Sequence, residues 1–157
     1  MTTSKGYSGA QITLHWLTAI AVLTAFLTHD AMEDIADAAW EAGTAPFPTL
    51  HTAAGLTVFL LVLIRLWLRR RHGAPEPQGS AQVQMAAIWG HRLLYLMLIA
   101  VPLGGALTWF GGLQDLGDVH GFAGKALLVV AGGHAAMAIW HQVVRKDGTL
   151  MRMLRPE

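Results

Sequence analysis

Four long apolar stretches govern what this chain can fold into. A bilayer core about 30 Å thick is crossed by about 20 mostly apolar helical residues. The 157-residue sequence offers four such runs: about Ala10 to His29, Leu50 to Leu68, Met85 to Phe110 and Val119 to Val144. The breaks between them are chemically distinct. Asp30 to Pro48 is acidic and ends in Ala-Pro-Phe-Pro, Arg69 to Gln84 joins an Arg run to Pro75, Pro77, Gly79 and Ser80, and Gly111 to Asp118 is a short turn. Proline and glycine at these places punctuate helices. The sequence therefore predicts an all-α integral membrane four-helix bundle, one domain over residues 1–157. Charged residues make up 13% of the chain, against about 25% in soluble domains, so the missing charge agrees with a bilayer.

Lysine and arginine set the direction of the spans. Lys5, Arg65, Arg69, Arg70, Arg71, Arg92, Arg145, Lys146, Arg152 and Arg155 fall on one side, and Lys125 alone lies towards the other. The opposite side carries Asp30, Glu33, Asp34, Asp37, Glu41, Asp115 and Asp118. Both termini are expected in the cytoplasm. Trp16, Trp67, Trp89, Trp109 and Trp140 lie near span ends, as an aromatic belt requires. Ala36-Asp-Ala38 resembles a signal-peptide cleavage site, but the apolar run before it is too long and Asp30, Glu33 and Asp34 precede it. A net charge of +1 argues against a nucleic-acid partner. The absence of cysteine excludes disulfides, iron–sulfur clusters and thioether-attached haem.

Eight histidines remain as the side chains suited to metals or protons. His15, His91, His120, His134 and His141 lie within spans, and His29 and His51 at span ends. One buried histidine is ordinarily a satisfied core residue; so many ionisable groups in a bilayer point to function. His120 and His134 are 14 residues apart, which on a helix returns to within about 40° of the same face after about 21 Å. That separation cannot serve one tetrahedral zinc, but it suits two flat cofactors, one near each leaflet. By depth, His51 pairs with His120 on the outer side and His15 with His134 on the inner side. Two other arrangements remain open on geometry alone. His15 and His29 share the 14-residue spacing, so the first span alone supplies a ligand at each depth; and His91 can replace His15. Gly55, Gly121, Gly124, Gly132 and Gly133 near these histidines permit close approach of a helix or a porphyrin face.

Gln11-Ile-Thr-Leu-His15-Trp16, His51-Thr-Ala-Ala-Gly55, Gly90-His91-Arg-Leu-Leu-Tyr95 and Gly133-His134-Ala135 resemble the bacterial cytochrome b561 family. The similarity extends through the Arg-rich exit of the second span to the Leu150-Met-Arg-Met-Leu tail. It implies a multi-pass protein of the bacterial inner membrane with two b-type haems whose axial ligands are His15, His51, His120 and His134. His29 has no counterpart in the family, which favours His51 as the outer partner. His91 and His141, in the cytoplasmic half, are candidates for proton delivery, since histidine titrates near neutrality. Arg65, Arg69 and Arg92 are candidates for a quinone head group or haem propionates, and Lys125 for an outer propionate.

Bis-histidine ligation leaves no open axial position, so the implied chemistry is outer-sphere electron transfer. The resemblance implies an oxidoreductase that oxidises superoxide at the periplasmic side and reduces ubiquinone at the cytoplasmic side. The acidic outer loops suit a second reading better, a quinol-linked cytochrome exchanging electrons with a basic periplasmic redox protein. A third class is a histidine-lined metal or proton transporter, for which no haem spectrum is expected.

Overall fold

A computed structural model describes residues 6–44 and 47–156. Lys5 and the Ala45-Pro46 step of the second break lie outside the described residues. Among the described residues every regular element is helical: α1 Gly9–Leu27, α2 His29–Glu41, α3 Leu50–His72, α4 Ala81–Trp109 and α5 Gly117–Trp140, with a π-helical turn His141–Arg145 continuing α5. Short 3-10 turns occupy Gln114–Leu116 and Leu150–Met153. Four of these segments are long and apolar enough to cross a membrane: α1, α3, α4 and α5 with its flanking turns.

Local sequence explains the boundaries. Ser8 and Gln11 form a reciprocal capping box at the start of α1, and Thr49 and Thr52 do the same for α3. The Arg run expected to end the second span instead continues it to His72. Basic residues in a last turn are favoured by the negative end of the helix dipole, and the Gly73 C-cap, at φ 76°, stops the helix. The acidic break also departs from expectation. Residues 29–41 form a helix in which Met32, Ala36 and Trp40, four apart, are turned inward, while Asp30, Glu33, Asp34, Asp37 and Glu41 are exposed.

The bundle turns its apolar surface outward. Leu27, Phe122 and Val129 are 76–78% exposed, whereas Val58 and Val62 are the largest fully buried side chains. This inversion identifies lipid, not water, as the surrounding medium. The small dry core consists of Ala21, Val58, Val62, Leu98 and Leu127, at least one from each span. Functional residues extend from it at seven-residue steps: His51, Val58, Arg65 and His72 on α3; His91, Leu98 and Gly105 on α4; His120, Leu127, His134 and His141 on α5. A period of seven keeps one stripe facing the interior of a left-handed bundle. Leu127 thus lies midway between His120 and His134, about 10 Å along the axis from each.

Packing around the bundle is uneven. Helix α1 lies along α3, α3 along α4 and α4 along α5, but α5 makes no extended packing with α1 or α3. The resulting seam is closed at mid-depth, where Leu127 joins the core with Ala21, Val58 and Val62. At one end the N-terminal turn, the α3–α4 connection and the C-terminal tail are fastened together. Gln11 Nε2 donates to the Gly73 carbonyl at 3.0 Å, Trp16 Nε1 to Met153 at 2.8 Å and Arg152 to Glu76 at 3.3 Å.

The turn leaving α4 is the tightest point of the backbone. A Cβ at Gly111 would stand 2.5 Å from the Leu107 carbonyl oxygen, and both are backbone groups that cannot swing aside. Gly111→Ala is expected to cost about 1–3 kcal/mol, read as a fall in thermal midpoint of roughly 2–4 °C per kcal/mol in detergent-solubilised protein.

Candidate functional site

Two histidine clusters bridge the α5 seam at different depths. In the outer cluster, His51 at the start of α3 faces His120 of α5, with ring centroids 6.0 Å apart. His51 Nδ1 donates to the Ala25 carbonyl at 2.7 Å, and His120 Nδ1 donates to the Val101 carbonyl at 3.0 Å. Each bond fixes the tautomer and leaves Nε2 with its lone pair, the state required of a metal-binding imidazole. Gly105 makes room for this arrangement. A Cβ there would approach His120 Cε1 to 2.7 Å. Val101, Gly105 and Trp109 form a stripe on α4 at four-residue spacing, so one face of that helix receives the His120 ring.

A cavity of about 900 Å³ opens beside the outer pair. Its lining includes His29, His51, His120, Trp109 and Lys125. His29, expected to end the first span, instead begins α2, with its ring 5.7 Å from that of His51. Its Nδ1 lies 3.5 Å from Asp30 and 3.8 Å from Glu33. Trp109 departs from the belt expected of it. It is 8% exposed, against 41–59% for Trp16, Trp67, Trp89 and Trp140. It sits 6.4 Å from Trp40, and its indole N–H is buried without a hydrogen-bond partner.

The inner cluster brings together His15, His91 and His134, with Arg65 and Tyr95. The His15 and His134 rings are 6.3 Å apart, and the His91 and His134 rings 5.1 Å apart. Arg65 donates to His15 Nδ1 at 3.2 Å and lies 5.5 Å from the Tyr95 ring. His91 Nδ1 donates to the Ala87 carbonyl at 2.7 Å. Arg92, by contrast, is exposed and stacks on Trp89 at 4.8 Å, away from the cluster. Arg69 is exposed near Tyr7, whose hydroxyl is raised above its ordinary pKa by burial, with Arg69 acting in the opposite direction.

His141 lies two turns beyond His134 and is buried. Its Nδ1 meets Asp147 at 2.5 Å, and Asp147 also accepts from the Thr149 hydroxyl at 2.7 Å and the Thr149 amide at 3.1 Å. The chain reaches this geometry through the π-turn and a left-handed Lys146, φ 53°. Asp147 and Thr149 were not singled out by sequence reasoning; the Asp-Gly-Thr run after the last span is the signal that marks the turn.

A helical membrane bundle with opposed imidazoles bridging an open seam has the build of a membrane b-type cytochrome. The comparisons agree. The prokaryotic cytochrome b561 family profile matches residues 6–156. Cytochrome b562 of Cereibacter sphaeroides is 38% identical over 160 aligned positions, covering 99% of both chains. The "Probable superoxide oxidase CybB" of Yersinia pestis is 28% identical with 96% of each chain covered, and the cytochrome b561 homolog 2 of Escherichia coli (strain K12) is 29% identical, covering 97% of this chain and 93% of that protein. The chain belongs to the prokaryotic cytochrome b561 family. It is a multi-pass redox protein of the bacterial inner membrane, and its family implies b-type haem. At the outer cluster the residues present fit such a group: imidazole tautomers fixed at His51 and His120, a cavity of suitable size, a glycine beside the His120 ring and an unsatisfied buried donor.

Asp147 supplies a pH signature outside the spans. The Thr149 hydroxyl, followed by His141, holds its carboxyl down to about 2, from an ordinary value of 3.8. A depressed carboxylate pKa adds stability that is complete above the unfolded value and disappears as pH falls through the folded one. Protection of the C-terminal tail from proteolysis should therefore exceed that of Asp147→Asn from pH 7 to about 4, and the difference should vanish as pH falls towards 2. At the outer site, Gly105→Ala should displace the His120 ring and reduce haem content, measured as the pyridine haemochrome.

Proposed function

We propose that this protein carries electrons across the inner membrane through two b-type haems, taking them from superoxide outside and delivering them to ubiquinone inside. The carrying observation is the pair of imidazole contacts across the α5 seam, at 6.0 and 6.3 Å between centroids. Rings at these separations would leave room for a metal ion held by an imidazole from each helix, with bonds of about 2 Å. On this reading His51 and His120 hold the outer haem and His15 and His134 the inner one. The 5.1 Å approach of His91 to His134 is too close for an iron between them, which leaves His91 for proton delivery. The Arg-rich end, which gathers both termini, faces the cytoplasm.

When bound, the haems would supply one-electron carriers. The chain's own residues determine the rest. Ala25 and Val101 orient the outer imidazoles through their carbonyls. Ala21, Val58, Val62, Leu98 and Leu127 exclude water between the two sites. Arg65, with Arg69 nearby, provides positive charge for a quinone oxygen or a propionate at the inner end, while Arg92 serves the membrane rim. His91 and His141 are the groups that pass cytoplasmic protons. Overall, two superoxide ions each lose one electron to become dioxygen, and ubiquinone gains two electrons and two protons.

Exposed acids on α2 favour a second reading, in which a basic periplasmic redox protein is the donor. Asp30 is fully exposed and Glu33 largely so. Salt separates the two donors. Screening relieves repulsion of an anion by the acidic surface and weakens attraction of a basic protein, so the rate with superoxide should hold or rise with ionic strength and that with a basic protein should fall.

Purified protein reduced with dithionite is expected to show a b-type band, with two haems per chain; its absence would return the transporter reading. His51→Ala and His120→Ala should each lose one haem, and His15→Ala and His134→Ala the other. Superoxide supplied with ubiquinone should form quinol faster than the uncatalysed reaction, and equal rates would reject superoxide as donor.

A further inference from the structure

The indole of Trp109 is, among the described residues, the one buried side-chain donor that the bundle itself leaves without a partner. Among the described residues, two buried side-chain polar atoms lack a hydrogen-bond partner, Trp109 Nε1 and Gln142 Oε1. A buried N–H with no acceptor is costly, about 1–3 kcal/mol, and native structures seldom leave one without a ligand to meet it. Trp109 is also placed by the stripe that receives His120. The Val101 carbonyl accepts from His120, Gly105 clears space for its ring, and Trp109 follows one turn further out, about 6 Å along α4. It lines the same cavity as His51, His120 and Lys125.

The occupant's chemistry follows from the donors. An N–H with no acceptor in the protein calls for an oxygen acceptor, and Lys125, the only basic side chain on the outer side, calls for a negative one. Asp30, Glu33, Asp37, Asp115 and Asp118 also line the cavity; all are exposed to solvent, as Lys125 is, and none takes the indole proton. A carboxylate on the edge of a flat group held between His51 and His120 satisfies both donors.

We propose that the Trp109 indole N–H, together with the Lys125 ammonium, anchors a carboxylate of the outer haem and thereby raises that haem's reduction potential. This rests on the two-haem reading. A hydrogen bond withdraws negative charge from the carboxylate, which otherwise favours the oxidised iron; removing the donor lowers the potential. Trp109 acts through the carboxylate and is a positioning residue.

The test compares Trp109→Phe, which keeps the aromatic volume without the N–H, with Trp109→Gln, which keeps an N–H donor. Resonance Raman bands of the propionates and a spectroelectrochemical titration are read on both. The outer component is assigned by its loss in His120→Ala. Trp109→Phe is expected to shift the propionate bands and lower the outer midpoint while the inner midpoint stays in place, and Trp109→Gln to move both back towards wild type. Loss of the outer haem in Trp109→Phe with retention in Trp109→Gln supports the same assignment. Unchanged bands and midpoint in Trp109→Phe, or identical behaviour of the two variants, would overturn it. A wild-type protein holding fewer than two haems overturns the two-haem reading itself, and this inference with it.

Discussion

An imidazole buried among hydrocarbon has two nitrogens to satisfy, and much of this structure follows from how that is done. Leaving a polar group unpaired in such a medium costs several kcal/mol, about as much as any single packing contact supplies. Three of the interior histidines give Nδ1 to a backbone carbonyl: His51 to Ala25, His91 to Ala87 and His120 to Val101. Ala25 lies in the last turn of α1, where its oxygen also accepts from the Thr28 hydroxyl at 3.4 Å, so the bond to α3 breaks no helical ladder. The same bond joins two helices and selects the nitrogen that faces the seam. Structural support and side-chain orientation are one interaction here.

The seam is the counterpart of that arrangement. A four-helix bundle normally closes by packing each helix on two neighbours, yet α5 packs extensively on α4 alone among the spans. What faces α5 across the gap is a histidine of α3 at one depth and a histidine of α1 at the other. A purely protein bundle would collapse this gap, since apolar packing rewards contact. Glycines near the histidines leave open space beside them at Gly55, Gly124, Gly132 and Gly133. The dry core at Leu127 then keeps the two depths apart, so each cluster has its own surroundings and its own charge.

Much of this was legible in the sequence because two signals are local. Apolar length marks the spans, and helical periodicity places His120 and His134 on one face without knowledge of any neighbour. Helix ends were less legible where charge was read as a stop: Arg69, Arg70 and Arg71 sit in the final turn of α3, where the dipole welcomes them. The acidic break was read as a poor place for a continuing helix because it ends in Ala-Pro-Phe-Pro. The Met32–Ala36–Trp40 spacing carried the helix, but three residues are a weak pattern until something packs on them. Gly105 and Trp109 were illegible as a pair. Their meaning depends on which ring α5 brings against α4, a tertiary fact that no single-helix pattern contains.

Trp109 also shows why a correct general rule can misplace a particular residue. Tryptophans at span ends belong to the interface when their helix face points to lipid, and Trp67, Trp89 and Trp140 obey, each with an arginine over its ring. Those arginines come from the same helix three to five residues on, at the cationic end of the bundle. Trp109 is at the opposite end, where the described surface is acidic and no arginine is within reach of its sequence. With Trp40 of α2 against it, the indole turns inward instead. The acidic helix, which looks like a simple connection, is thus what converts a belt position into part of the outer cavity wall.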